Sequence, residues 1–325
     1  MSQFTHPLVA YAGPARPGAS VLRTVIGIAL TLLTVWALVQ LARVGMAETL
    51  FGDPSDAPSP RDARRTDSPL GVLLTLGVFL AVWPALWLVL PLVHKRRGAT
   101  LFGPEGRIDW RHFRYGLAVS FGVGAVAWAP LVAEHGGALL TAKPLEVWAT
   151  FALIALPLVF VQCAAEELLF RGYLLQQFAA RSFNVLGWSV LPSLLFGLAH
   201  PAEGTLWGIS WYHFVFGLIM AAVTSRTANL GGAIGLHFGN NVVNLLLIAP
   251  VTQVSGLALL RAPETVDASA AKAAYLVVMF VGAALFMGWM DLKFIRRWRA
   301  MKRADKDAAK DAAAVAPVPE RVAAE

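Results

Sequence analysis

Apolar stretches dominate this chain, and they recur at lengths that suit transmembrane helices. Eight of them approach or reach the roughly 20 residues that a helix needs to cross a bilayer, with short polar segments between them. They lack the strict in–out alternation of a transmembrane β-barrel, so strands are not expected. The pattern predicts an all-α, polytopic membrane protein. Its expected spans are about 21–42, 69–93, 113–134, 148–165 (continuing as a more polar helix to about 180), 186–200, 206–225, 232–250 and 273–294.

The composition agrees with a membrane protein and excludes several other classes. The 325 residues are 57% hydrophobic and 14% charged, whereas soluble domains carry about a quarter charged residues. The net charge of +7 comes from basic residues beside apolar stretches, without a basic–aromatic motif typical of nucleic-acid binding. A single cysteine, Cys163, excludes an intramolecular disulfide and a cysteine-based zinc site. The expected partners are the lipid bilayer and a membrane-associated substrate, with no nucleic acid.

The distribution of lysine and arginine predicts the orientation in the membrane. The loop after the second span, HKRRG, and the segment after the eighth, KFIRRWRAMKR, are both basic. Cytoplasmic loops are enriched in these residues. An even number of spans then places both termini in the cytoplasm, in a multi-pass protein of the cytoplasmic (inner) membrane. The first loop is an exception, because Arg61, Arg64 and Arg65 would lie outside.

Four regions follow from this organisation. Residues 1–140 are N-terminal transmembrane helices and loops, and the first two spans are interpreted as plain anchors. Residues 141–255 form the core that carries the candidate chemistry, and residues 256–300 contain the last span. Residues 301–325 are low-complexity and are predicted to be a disordered cytoplasmic tail.

Charged residues stand inside the fourth span, in the stretch CAAEELLFRG. An ionised side chain near the centre of a transmembrane helix costs about 2.5–3.5 kcal/mol, so intramembrane charges usually serve a function. Glu167 and Arg171 are four residues apart and can pair on one helix face. Glu166 points about 100° away from that face and stays available for other work.

Two further spans supply polar side chains that can meet Glu166. The turn between the fourth and fifth spans falls near Phe183, and Glu166 and His200 are equally distant from it along the chain. In an antiparallel helical hairpin they would lie at the same depth. In the seventh span His237 and Asn241 are four residues apart and share a face, and polar residues there can also simply join helices.

These residue types are the parts needed to hydrolyse an amide. A glutamate can act as general base while a neighbouring histidine shares its water, and a His–Asn pair can donate hydrogen bonds to a developing oxyanion. Ser210 and His213 are only three residues apart on one helix, which makes a serine dyad unpersuasive, so His213 is interpreted as a packed or interfacial histidine. Cys163 is expected to be a buried structural thiol.

The three motifs resemble those of the CPBP intramembrane proteases, a family also called Abi or CAAX protease-like. E-E-x-x-x-R (Glu166, Glu167, Arg171), F-x-x-x-H (Phe196, His200) and H-x-x-x-N (His237, Asn241) appear in the family's order, between about Trp148 and Pro250. The resemblance is to the family that includes type II CAAX prenyl endopeptidases. Each motif is short, and the specificity comes from all three occurring in order inside predicted spans.

The resemblance implies eight transmembrane helices around a catalytic cavity that opens towards the cytosol. It implies that Glu166 and His200 activate the water, that His237 and Asn241 form the oxyanion hole, and that Glu167 and Arg171 support the site. The family is often classed as metalloproteases, and the His₂Glu set of Glu166, His200 and His237 could hold zinc. Direct activation of water by Glu166 needs no metal, and this is the preferred interpretation.

Other functions stay open on the sequence. One is a non-catalytic scaffold or immunity protein in which the polar cluster only joins helices. Another is a proton-coupled transporter, although paired halves with broken helices are not evident. Within the protease interpretation, the substrate is a CAAX-like or leader-peptide-type membrane polypeptide, and the sequence does not choose between these.

Overall fold

The described helices follow the predicted apolar stretches. A computed structural model describes residues 7–46, 65–135, 141–200, 208–251, 253–264 and 273–288, so the predicted tail at 301–325 lies outside the described residues. Residues up to Ala283 form one compact unit, and of the second unit, Ala284–Glu325, only residues 284–288 are described. The helices are α1 Pro7–Ala12, α2 Val21–Met46, α3 Pro69–His94, α4 Trp110–His135, α5 Leu145–Arg181, α6 Leu186–Ala199, α7 Trp211–Thr227, α8 Gly231–Asn241 and α9 Ala273–Gly288.

A mostly helical architecture is therefore confirmed, and a described helix lies in each of the eight predicted spans. Among the described residues, three helices are long and apolar enough to cross a membrane: Val21–Gly45, Pro69–His94 and Leu145–Arg181. Two shorter ones, α6 and α9, are also apolar. The number of crossings stays a prediction, because helices of 10–17 residues fall short of a full bilayer unless the membrane or the chain adapts.

A small sheet, which the sequence did not predict, closes one end of the helical bundle. Strand β1 (Thr141–Ala142) runs antiparallel to β3 (Leu260–Ala262), which runs parallel to β2 (Ile248–Pro250). Strand β2 contradicts the predicted extension of the seventh span to residue 250. The apolar run there is continuous, and periodicity alone cannot separate a short buried strand from the end of a helix.

Helices α3, α5 and α8 meet in an apolar cluster directly beside the motif residues. Val72 and Leu76 of α3 pack with Val159 and Cys163 of α5, and with Leu246 of the π-helical turn Val242–Leu247 that continues α8. Burial of this kind contributes about 25 cal/mol per Å² of apolar surface. The cluster fixes α5 against α8, the two helices that carry the first and third motifs.

Close glycine contacts join α8 to α4. A Cβ at Gly235 would come within 2.1 Å of the Phe113 carbonyl oxygen, and one at Gly116 within 2.4 Å of the Gly232 carbonyl oxygen. A Cβ at Gly239 would meet Ser120 Cβ at 2.6 Å. Small residues at such positions allow two helix backbones to approach closely in a membrane. This contact sets the position of His237 and Asn241.

The first two spans are more than the plain anchors that the sequence suggested. His94, the last residue of α3, lies with Nε2 2.8 Å from the hydroxyl of Tyr173 and with Nδ1 3.1 Å from the Gly18 carbonyl oxygen. Tyr173 in turn donates to the carbonyl of Thr24 in α2. In α1, Tyr11 donates its hydroxyl to the Arg171 carbonyl at 3.1 Å. The N-terminal helices are thus tied by buried polar groups to the helix that carries the first motif.

Candidate active site

The first motif lies at a change of helix type within α5. The α-helical part ends at Glu167, and a π-helical segment, Leu168–Leu175, follows it. Short π segments inside helices occur frequently at functional sites. Arg171 Nη1 lies 2.9 Å from Glu167 Oε1, with side-chain exposures of 1% and 0%. The predicted pairing of Glu167 with Arg171 is confirmed, and Glu166 takes no part in it.

The phenylalanine of the second motif also contacts the buried arginine. Arg171 Cζ lies 4.5 Å from the Phe196 ring centroid, within the range of a cation–π contact. The Phe196 carbonyl accepts a hydrogen bond of 2.9 Å from Nδ1 of His200. Phe196 therefore joins the charged pair to His200 and directs Nε2 of that histidine towards the acids.

Glu166 lies between two histidine rings. Its Oε1 is 3.8 Å from Nε2 of His200, and its Oε2 is 3.6 Å from Nε2 of His237. The placement agrees with the equal-depth argument for Glu166 and His200. Both distances exceed a hydrogen bond. Oε2 is buried and makes no hydrogen bond to the described residues.

The second carboxylate has a different environment. Glu167 Oε1 lies 2.9 Å from Nδ1 of His237 as well as from Arg171. A carboxylate can only accept here, so His237 donates its Nδ1 proton to Glu167. The hydrogen bond leaves Nε2 of His237 as the nitrogen that faces Glu166. Glu167 thus orients a ring of the third motif, a contact that the spacing of residues did not predict.

Asn241 belongs to a chain of amide groups that sequence reasoning missed. Its Nδ2 donates to Gln162 Oε1 at 2.8 Å, and its Oδ1 accepts from Asn240 Nδ2 at 2.8 Å. Asn240 also accepts from the Tyr212 hydroxyl at 3.1 Å, a contact that joins α8 to α7. Gln162 stands four residues before Glu166, and this i, i+4 relation is the signal that could have identified it.

His213 lies nearer to the site than the sequence indicated. Its ring stacks on that of His200 with centroids 4.0 Å apart and planes 13° apart. Ser210 caps α7, accepting a hydrogen bond from the His213 backbone, and its Oγ lies 2.6 Å from His213 Nδ1. The three-residue spacing that argued against a dyad is thus the spacing of a helix cap. Cys163 is fully buried, as expected of a structural thiol.

A catalytic zinc needs three protein ligands that converge on one ion. Glu166 faces Nε2 of His200 and Nε2 of His237 through different carboxylate oxygens, at 3.8 and 3.6 Å. Among the described residues, no group of three or more His, Cys, Asp or Glu side chains is arranged to hold a metal. As they stand, Glu166, His200 and His237 do not fit zinc.

A cavity of about 280 Å³ gives access to the cluster. His200 and His213 line it together with Tyr212, Asn240 and Asn241. The structure therefore brings His200 and Asn241 to one cavity wall. The buried Glu166 lies beside His200, and the buried His237 lies beside Glu166.

Comparison with known proteins adds evidence that is independent of this geometry. Residues 148–243 match a family model described as type II CAAX prenyl endopeptidase Rce1-like. The uncharacterized protein YyaK of Bacillus subtilis (strain 168) is 28% identical over 215 residues, which cover 64% of this chain and 71% of YyaK. No solved structure shows significant similarity to the chain. The resemblance expected from the three motifs is confirmed: over residues 148–243 this chain is similar to type II CAAX prenyl endopeptidases of the Rce1-like family.

Proposed function

We propose that this protein is an intramembrane endopeptidase that hydrolyses a peptide bond of a membrane-associated polypeptide. At the level of the family, the Rce1-like match suggests a protease of the CAAX type. The observation that carries the proposal is the buried Glu166 carboxylate between Nε2 of His200 and Nε2 of His237. A carboxylate with an unsatisfied oxygen beside two histidines has the composition of a general base with its partners.

In the proposed reaction Glu166 removes a proton from a water that it shares with Nε2 of His200. The resulting hydroxide attacks the carbonyl carbon of the substrate, and the carbonyl π electrons move to the oxygen. Asn241 Nδ2 donates a hydrogen bond to this oxyanion, and so does Nε2–H of His237 when the ring is doubly protonated, with its Nδ1–H on Glu167. Glu166 then returns its proton to the amide nitrogen as the carbon–nitrogen bond breaks, which yields a carboxylic acid and an amine. The acid then passes its proton to the amine or to water.

Glu167 and Arg171 have a positioning role in this proposal. Glu167 accepts the Nδ1 proton of His237 and thereby directs Nε2 towards the reaction. The Arg171 guanidinium holds Glu167 in place. Because no metal ion fits the donors as placed, every step is assigned to side chains.

The alternative functions are less well supported. A scaffold needs satisfied polar contacts between helices, whereas Glu166 Oε2 is buried without a hydrogen bond to the described residues. A proton-coupled transporter needs access from both sides of the membrane. The described residues that line the cavity lie towards one end of their helices.

The variant Glu166→Gln tests the proposal. The amide cannot take a proton from water, so the cleavage rate should fall by about 10²–10⁴-fold, the usual contribution of a general base. The measurement is mass-spectrometric detection of products after incubating the purified full-length protein with a library of membrane peptides. Glu146→Gln, at an exposed glutamate of the same helix, is the matched control and should cleave normally. Undiminished cleavage by a folded Glu166→Gln would refute the mechanism.

Chelation of the wild-type protein distinguishes the two ways of activating water. With Glu166 as the direct base, cleavage should be unchanged after exhaustive treatment with 1,10-phenanthroline and EDTA. Loss of cleavage that returns on adding Zn²⁺, but not Mg²⁺, would replace this mechanism by one with a metal-bound water.

A further inference from the structure

The cavity lies towards one end of the helical bundle. Its walls come from the C-terminal halves of α4 and α8, the residue that follows α6, and the first turns of α7 and α9. Pro250 and Gln253, in and after β2, complete the rim. Each of these segments is adjacent to the loops between α4 and α5, α6 and α7, or α8 and α9. We call this side of the bundle the cavity end.

Hydrogen bonds between loops establish which helix termini share an end. At the cavity end, Lys143 donates to the Ala258 carbonyl, and the Trp148 indole donates to the Leu246 carbonyl. The backbone of Ser255 donates to the Thr66 carbonyl, which brings the start of α3 to the same end.

The opposite side is defined in the same way, and we call it the basic end. His94 contacts Gly18, and Arg181 donates to Thr24. The Asn229 side chain donates to the Arg107 carbonyl. These contacts bring six helix termini together at the basic end. They are the starts of α2, α4 and α8 and the ends of α3, α5 and α7.

Positive charge is distributed unequally between these ends. Of the fifteen lysine and arginine residues that the structure describes, ten lie at the basic end, four at the cavity end, and Arg171 between them. Six of the ten fall in the clusters at 95–97 and 107–114, and the others are Arg16, Arg23, Arg181 and Arg226. The four at the cavity end are Arg43, Arg65, Lys143 and Arg261. An excess of lysine and arginine in short loops marks the cytoplasmic side of a membrane protein.

We infer that the catalytic cavity opens on the non-cytoplasmic side of the membrane, and that the substrate is a membrane-anchored polypeptide presented there. This inference rests on the proposed function and reverses the cytosolic opening that the family resemblance implied. The described residues that line the cavity include no aspartate, glutamate, lysine or arginine, so the bound segment is uncharged. Tyr212, Asn241 and Gln253 offer hydrogen bonds to its backbone.

The orientation also decides between the two substrate types. A prenylated C-terminus is held by its lipid in the cytoplasmic leaflet, where the modification is added, and would not reach a cavity on the outer face. A leader-type polypeptide, anchored by an apolar segment with its cleavage site on the outer side, would reach it. The geometry therefore favours leader-type substrates over prenylated ones.

Single-cysteine labelling in cells that express the full chain tests the inference. Cys163 is fully buried, so the unmodified chain serves as the blank. A membrane-impermeant biotin–maleimide should label Gln253→Cys at the cavity rim to the same extent before and after lysis. Arg107→Cys, at an exposed position of the basic end, should be labelled only after lysis. Glu146→Cys provides a second position at the cavity end if Gln253→Cys does not reach the membrane.

The outcomes separate the two proposals. Labelling at the cavity end only after lysis would overturn the inference, whether or not Arg107→Cys is labelled in intact cells. Equal labelling of both ends in intact cells would overturn it too. Labelling does not depend on catalysis, so an undiminished rate in Glu166→Gln would refute the proposed function and leave the orientation untouched.

Discussion

Adjacent glutamates in this site have unlike surroundings, although the sequence shows only a pair. Glu167 is fully buried and shares one oxygen between Arg171 and His237. Glu166 makes only longer contacts to two histidine rings. A buried ion pair contributes little net stability when intact, but removing one partner leaves an uncompensated charge. The two acids should therefore respond differently to the same substitution.

The variant Glu167→Gln should mainly destabilise the protein. It removes the counter-charge of a guanidinium that is 1% exposed, and breaking such a buried pair costs about 3–5 kcal/mol. The measurement is thermal unfolding of the purified protein in detergent, with Glu105→Gln, at an exposed ion pair, as the control. The double variant Glu167→Gln with Arg171→Met should recover part of the loss, because it no longer buries a lone charge. An unchanged unfolding temperature in the single variant would contradict this account.

The sequence predicted much of the site because its main contacts join residues that are either close in sequence or equally distant from one hairpin turn. Glu167 and Arg171 are an i, i+4 pair, and Glu166 and His200 are equally far from one hairpin turn. The contacts it missed join helices that are distant in the chain. Nothing in the spacing of residues places His213 over His200 or Glu167 against His237, because these contacts depend on how α5, α7 and α8 pack.

At the scale of the elements, the contact between α4 and α8 decides where the third motif lies. The Gly235 Cα faces the Phe113 carbonyl so closely that a methyl group cannot be placed between them. His237 and Asn241 follow within two turns on the same helix. A displacement of α8 by the width of a methyl group would move both side chains relative to Glu166.

The variant Gly235→Ala should therefore lose both activity and stability. Its Cβ would lie 2.1 Å from a backbone oxygen, and overpacking of this kind costs typically about 1–3 kcal/mol. The control is Gly122→Ala in α4, where a Cβ meets nothing within 4 Å and alanine favours the helix. Peptide cleavage and thermal unfolding of both variants check the prediction. Equal behaviour of the two variants would show that the close approach is not required.

The elements themselves were predictable where apolar runs are long and bounded by polar residues. The predictions failed where one apolar run changes its structure, as at Leu247 to Ile248, where the π-helical turn after α8 gives way to β2. They also failed for α1, which is too short to give a periodic signal. The interpretation of the first two spans as plain anchors overlooked His94 and Thr24, because an isolated polar residue in an apolar run does not reveal its partner.

At the scale of the whole molecule, the distribution of charge and the position of the cavity together predict which side of the membrane the cavity faces. Ten of the fifteen described lysine and arginine residues lie at the end opposite the cavity. Of the arginines in the first loop that the sequence placed outside, Arg61 and Arg64 lie outside the described residues, and Arg65 lies at the cavity end beside Asp67. We expect the excess at the basic end to set the orientation despite this exception.

The topology itself gives the last prediction: both termini are cytoplasmic, because the eight predicted spans are an even number. Five of the eight described helices in those spans do not meet both the length and the hydropathy expected of a full transmembrane helix, so each could fail to cross. An odd number of crossings would place the termini on opposite faces.

Fusions of the full chain to green fluorescent protein and to alkaline phosphatase, at each terminus in turn, measure the location of the termini directly. Fluorescence with no phosphatase activity at both termini is expected, since the first reporter folds in the cytoplasm and the second only outside it. Phosphatase activity at one terminus alone would mean that one of the short helices does not cross, and activity at both would invert the orientation and return the cavity to the cytoplasmic face.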